Sequence, residues 1–152
     1  MIYKINQNSH RSVWFPRMTF KNKISFTFKF LSAIPQTEYT NKVYGLIDGI
    51  FPHKNSVRVG FRKIKNKIQL SSIVYNNGKR TITPLVEIDK NTITVCTIIK
   101  QKHEYVIYID FKKFVFKRTS NFNLFSFRLF PYWGGVDKAP SDITLEIFEA
   151  ET

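Results

Sequence analysis

Apolar and polar residues alternate with period two in Ile24-Ser25-Phe26-Thr27-Phe28-Lys29-Phe30, in Ser56-Val57-Arg58-Val59-Gly60-Phe61-Arg62 and in Ile143-Thr144-Leu145-Glu146-Ile147. A period of two puts successive side chains on opposite faces of a strand, so each run predicts a strand with one face in a core. Two further stretches predict hairpins. Tyr105-Val106-Ile107-Tyr108-Ile109 turns at Asp110 into Lys113-Phe114-Val115-Phe116. Leu70 to Tyr75 turns through Asn76-Asn77-Gly78-Lys79 into Arg80-Thr81-Ile82-Thr83, and Asn-Gly suits a type I′ turn because both central residues need positive φ. About ten or eleven such segments follow one another with turn residues between them, and no stretch shows a helical apolar stripe. The pattern predicts an all-β protein: two antiparallel sheets packed face to face as a jelly-roll or concanavalin-like β-sandwich. One domain is expected over residues 1–152, a length that buries about two-thirds of the unfolded surface.

Composition supports strands, and charge adds a second theme. Phe occurs 15 times, and aromatic residues make up 16% of the chain. Lys and Arg total 24 against 11 Asp and Glu, a formal net charge of +13. Such a field attracts anionic glycans, acidic protein surfaces, nucleic acid or anionic membranes without choosing among them. Lys63, Lys65 and Lys67, and Lys112, Lys113, Lys117 and Arg118, are expected on solvated strand faces. Cys96, in Ile93-Thr94-Val95-Cys96-Thr97-Ile98-Ile99, reads as a buried inert thiol. The first residues carry no apolar signal segment, so synthesis in a (host) cytoplasm is expected. No run approaches the roughly 18 apolar residues that cross a bilayer, and no membrane insertion is expected.

Five segments in order resemble a group of small, mostly uncharacterised β-sandwich proteins of gut Bacteroidetes and their crAss-like phages. They are "NKVYGLIDG" (Asn41 to Gly49), "HKNSVRVGFR" (His53 to Arg62), "VYNNGKR" (Val74 to Arg80), "YVIYID" (Tyr105 to Asp110) and "LFPYWGGVDKAPSDITLEI" (Leu129 to Ile147). The group's pattern has histidines where this chain has Lys54 and Ser141, and Trp where it has Phe61. The resemblance implies a non-enzymatic structural or interaction module, a phage virion component decorating a head or tail by docking on an acidic protein surface.

Two constellations are candidates for contact with a partner. In the first, Pro131 and Gly134-Gly135 shape a corner, Asp142 fixes the turn into the last strand, and Tyr132 and Trp133 either cap the sandwich or present ring faces to a sugar or to an apolar anchor. The second is His53, Asn55, Arg58 and Arg62. Arg58 and Arg62 are four apart and share a strand face, where two guanidiniums can grip carboxylate or phosphate, or else pair with Glu87 or Asp89.

Besides virion docking, therefore, the alternative is a glycan-binding module or weak polysaccharide lyase acting on anionic polysaccharide, with Arg58 or Asn55 neutralising a uronate and His53 with Tyr75 or Tyr132 moving protons. The expected partners are other virion proteins or a surface glycan. In Phe111-Lys112-Lys113-Phe114-Val115-Phe116-Lys117-Arg118 alternation buries the rings, so nucleic acid is not the expected partner. Phosphate-loop, dinucleotide and zinc-hydrolase motifs are missing, no cofactor or metal is expected, and a calcium ion through Asp48 and Asp142 has only two carboxylates behind it.

Overall fold

The computed structural model describes residues 1–13 and 15–150. Twelve strands, and no helix among the described residues, build two antiparallel six-stranded sheets. The strands are β1 (Ile2–Ile5), β2 (Arg17–Thr19), β3 (Lys23–Phe30), β4 (Asn41–Asp48), β5 (Ser56–Ile64), β6 (Lys67–Asn76), β7 (Lys79–Ile88), β8 (Thr94–Lys100), β9 (Glu104–Ile109), β10 (Lys112–Lys117), β11 (Ser126–Leu129) and β12 (Ile143–Glu149). One sheet runs β1-β12-β3-β8-β9-β10 and the other β2-β11-β4-β5-β6-β7. The expected β-sandwich is therefore present, with each expected strand inside an observed one.

The inner faces meet in a core rich in rings. Phe26, Phe28 and Phe30 all point inward from β3, as their period of two requires. Phe26 meets Tyr44 edge-on at 5.0 Å, and Phe30 meets Phe61 at 4.8 Å. Cys96 lies in this core, where burial pushes its thiol well above the ordinary range. Asn77 (φ 50°) and Gly78 (φ 83°) form the tight turn between β6 and β7.

Two expectations about the lysine-rich stretches are corrected. Lys63, Lys65 and Lys67 are not one strand face: Lys63 is the last residue but one of β5, Lys65 is in the turn at φ 52°, and Lys67 opens β6 and pairs with Asp89 at 2.7 Å. Arg118 is not solvated. It is buried between the sheets, donating from Nε to Asp48 Oδ2 at 2.6 Å and from an Nη to Asp48 Oδ1 at 3.1 Å. Lys100 (3.6 Å) and the Tyr105 hydroxyl (2.9 Å) also face that carboxylate. A buried carboxylate needs such partners, because desolvation otherwise costs more than the fold can supply. Asp48 is thus committed to the chain's own cations, and Asp142 to Lys4 and the Gln7 N–H, which leaves neither to the calcium site considered above.

The pattern also differs on β4 and β5, which are buried on both faces over most of their length. Their inner faces carry Leu46, Val57, Val59 and Phe61, while Ile47, Ser56 and Arg58 occupy the outer face. Loops folded over that outer face cover it, and they make the site.

Candidate functional site

Strand pairing sets out the floor of a groove on the outer face of the second sheet. Ile47, Ser56, Tyr75 and Arg80 lie in one cross-strand row, and Gly45, Arg58, Ile73 and Ile82 in the next. Gly45 is required there. A Cβ on it would come to 2.8 Å from both Cα and Cγ of Arg58, so the missing side chain is the space in which Arg58 lies along the sheet.

Three segments build the walls: the β1–β2 connection with Arg11, Val13, Phe15 and Pro16, the β4–β5 loop with Pro52 and His53, and the chain from Leu129 to Gly135. The enclosed groove measures about 590 Å³. The last segment adds short bridges from Tyr132 to Lys42 and to Arg11, so Pro131 and Tyr132 run as a strap over the sheet. Its period of two separates the two adjacent rings. Tyr132 faces the groove, stacked on His10 at 5.5 Å, with Lys42 Nζ 4.8 Å from the centre of its ring. Trp133 points the other way, 2% exposed and edge-on to Phe61. The Trp133 ring is therefore a core side chain and offers no platform, so of the two readings weighed for these rings the capping one holds for Trp133, and its place as a candidate binding residue is corrected. The Gly134 N–H donates to Asn41 Oδ1 at 2.8 Å, and Gly135 takes φ 81° against the Tyr39 ring.

The other expected residues divide in the same way. His53 and Arg58 reach the groove. Asn55 is buried, and its Oδ1 accepts the Asn77 N–H, bracing the β4–β5 loop on the β6–β7 turn. Arg62 donates to the Glu38 carbonyl at 3.2 Å and is not a groove residue, and Asp142 pairs with Lys4 at 2.9 Å outside it. Neither arginine takes Glu87 or Asp89 as a partner. Arg11, Lys42, Arg80 and Phe15 escaped the sequence reading because only tertiary folding brings positions 11, 15, 42 and 80 together.

Electrostatically the groove is one-sided. Arg11, Lys42, Arg58 and Arg80 line it, and no Asp or Glu does among the described residues. Arg58 is 5% exposed and donates to the Pro52 carbonyl at 3.1 Å, while its buried Nε has no partner. Burial lowers its pKa to about 10. Lys42 falls to about 8, through burial first and then repulsion from Arg58 and Arg80. His53, 5.3 Å from the Tyr75 ring, is also lowered, by burial and then by Arg58, Lys42 and Arg80, so its imidazole is neutral at pH 7. A neutral imidazole beside phenols and guanidiniums can accept a proton next to a bound anion.

No family model and no curated protein matches the chain. Solved structures do resemble it. Alginate lyase AlyC3 superposes with a TM-score of 0.63 at 13% identity, over 99% of this chain and 75% of that one, and it has also been solved with dimannuronate. An alginate lyase from Pseudomonas aeruginosa gives 0.60 at 10% identity, over 88% of this chain and 67% of that one. The catalytic domain of an endo-1,3-beta-glucanase from Thermotoga petrophila gives 0.55 at 12%, over 84% and 61%. The likeness establishes the fold class: this chain is a jelly-roll β-sandwich. At such identity it does not carry an activity across.

Proposed function

We propose that the groove binds anionic polysaccharide, specifically a chain of uronate sugars. The observation that carries this reading is Arg58: a buried guanidinium in a groove with no acidic lining among the described residues, its Nε unpaired. A buried cation without a counter-ion is costly, and a carboxylate bound in the groove against the guanidinium offsets that charge. Lys42, Arg80 and Arg11 extend the positive field along the groove, and Tyr132, held between His10 and Lys42, lines its wall. The carbohydrate-active neighbours share the architecture, and one of them was solved with a uronate dimer.

The same geometry favours β-elimination over glycoside hydrolysis as the chemistry of any turnover. Hydrolysis uses a pair of carboxylates, and none lines the groove among the described residues. In elimination, neutral His53 takes the proton beside the uronate carboxylate while Arg58 holds that carboxylate. The carbon left behind forms the double bond, and the bond to the glycosidic oxygen breaks. Tyr75 gives that oxygen its proton. The virion setting implied by the sequence resemblance uses the same cations, but a concave groove suits a polymer lying within it better than a broad acidic protein surface.

Titration calorimetry with polymannuronate, polyguluronate and a neutral β-glucan tests the binding. The uronates bind, the glucan does not, and Arg58→Ala weakens uronate binding at least about tenfold, the scale of one charge-assisted contact. Equal affinity for the neutral glucan, or an unaffected Arg58→Ala variant, overturns the reading. Ultraviolet absorbance of unsaturated uronate, lost in His53→Ala, tests the elimination separately.

A further inference from the structure

Strand register gathers one set of loops at one end of the sandwich: residues 20–22, the β4–β5 loop, the β6–β7 turn, residues 101–103 and residues 118–125. The loops are fastened to one another. Arg118 donates to the carbonyls of Gln101 (2.7 Å) and Phe122 (2.5 Å), the Arg118 N–H to His103 O, the Lys100 N–H to Asn22 O and the Gly78 N–H to Lys54 O. This rigid end presents apolar tips from separate loops: Phe20 is 74% exposed, Phe51 65% and Leu124 74%. Lys21, Lys23, Lys54, Lys79, Lys102 and Lys117 surround them, all at the surface. Among the described residues Glu104 and Glu149 stand against these at the surface, and Glu149 already pairs with Arg128. The opposite end also carries isolated apolar tips, Phe111, Ile93 and Val136, but Asp89, Asp110 and Asp137 are interleaved there with its lysines.

We infer that the lysine-ringed end docks on the surface of an anionic bilayer, with Phe20, Phe51 and Leu124 seated at headgroup depth. Single apolar side chains projecting from separate loops suit a fluid surface that closes around each of them. A protein interface would instead call for a packed central patch. Each lysine near an anionic leaflet adds to the attraction, and the acidic residues of the opposite end reduce it there. The docking is independent of the groove ligand, since none of these three side chains lines the groove.

The test is cosedimentation with phosphatidylcholine vesicles, with and without phosphatidylserine, at physiological salt. The protein pellets with the serine-containing vesicles. The triple variant Phe20→Ser, Phe51→Ser, Leu124→Ser, with its net charge unchanged and its fold checked by circular dichroism, partitions at least about tenfold more weakly. Unchanged binding of that variant means adhesion by charge alone and overturns the inference, as does failure of the wild type to bind. A second measurement does not depend on the triple variant. Fluorescence of Leu124→Trp is quenched by brominated lipid and that of Val136→Trp is not, and equal quenching at the two sites also overturns it.

Discussion

Replacing Asp48 by Ala probes the buried network most directly. Asp48 accepts two hydrogen bonds from Arg118 and one from the Tyr105 hydroxyl, and faces Lys100 at 3.6 Å. The side chains of Asp48, Arg118 and Lys100 are at most 1% exposed, so solvent cannot take over the lost charge without the loops opening. Removing one partner of a buried ion pair costs about 3–5 kcal/mol, because the remaining charge stays desolvated. Here two cations are stranded, while Arg118 keeps its carbonyl acceptors and Lys100 its bond to Ser126 Oγ, so about 4 kcal/mol is expected. For a domain of this size that lowers the melting temperature by roughly 10 °C. Urea unfolding followed by circular dichroism measures it, with Asp48→Leu, Lys100→Met, Arg118→Met as the companion variant. Exchanging the whole network for apolar side chains is expected to restore most of the loss. A single-variant loss below about 1 kcal/mol would refute the reasoning, since it would mean the cations reach water at little cost.

Binding of uronate to the groove weakens as pH rises above about 8, where Lys42 loses its proton, and Lys42→Arg removes that dependence; calorimetry across pH checks it. The same lysine affects stability with the opposite sign. Its folded pKa is below the ordinary 10.5, so between pH 8 and 10.5 the unfolded chain holds more protons and this group's contribution to stability rises with pH. The buried hydroxyls of Tyr44 and Tyr105, raised mainly by burial, oppose it above about pH 10. Gly45→Ala forces backbone and Arg58 apart, costs about 1–3 kcal/mol in a denaturant titration, and weakens uronate binding with it. Trp133→Ala destabilises by about 3–5 kcal/mol as a core deletion, whereas Tyr132→Ala leaves urea stability within about 1 kcal/mol and acts on ligand affinity. The reverse ranking would show the two rings misassigned.

Alternation by itself determined that this chain is a β-sandwich, because a period of two with Phe or Val at every second position leaves no other way to bury the apolar face. The Asn77-Gly78 turn was legible for an equally local reason, the positive φ that both residues tolerate. From the candidate site, His53, Arg58 and Tyr132 were legible as polar or ring-bearing residues next to turn signals. The tertiary structure alone decided which side of the sheet those residues face, and whether that side is open. Adjacent Tyr132 and Trp133 look alike in sequence, yet the strap sends one into the groove and the other into the core. Arg118 reads like its neighbours on a basic strand and becomes a buried partner of Asp48, seventy positions away. Arg11, Lys42 and Arg80 become a single field, and Phe20, Phe51 and Leu124 a single end, through strand pairings between distant segments. Local pattern specifies a strand and its two faces; the charge and shape that a ligand meets are sums over strands, and only the assembled sheet performs that sum.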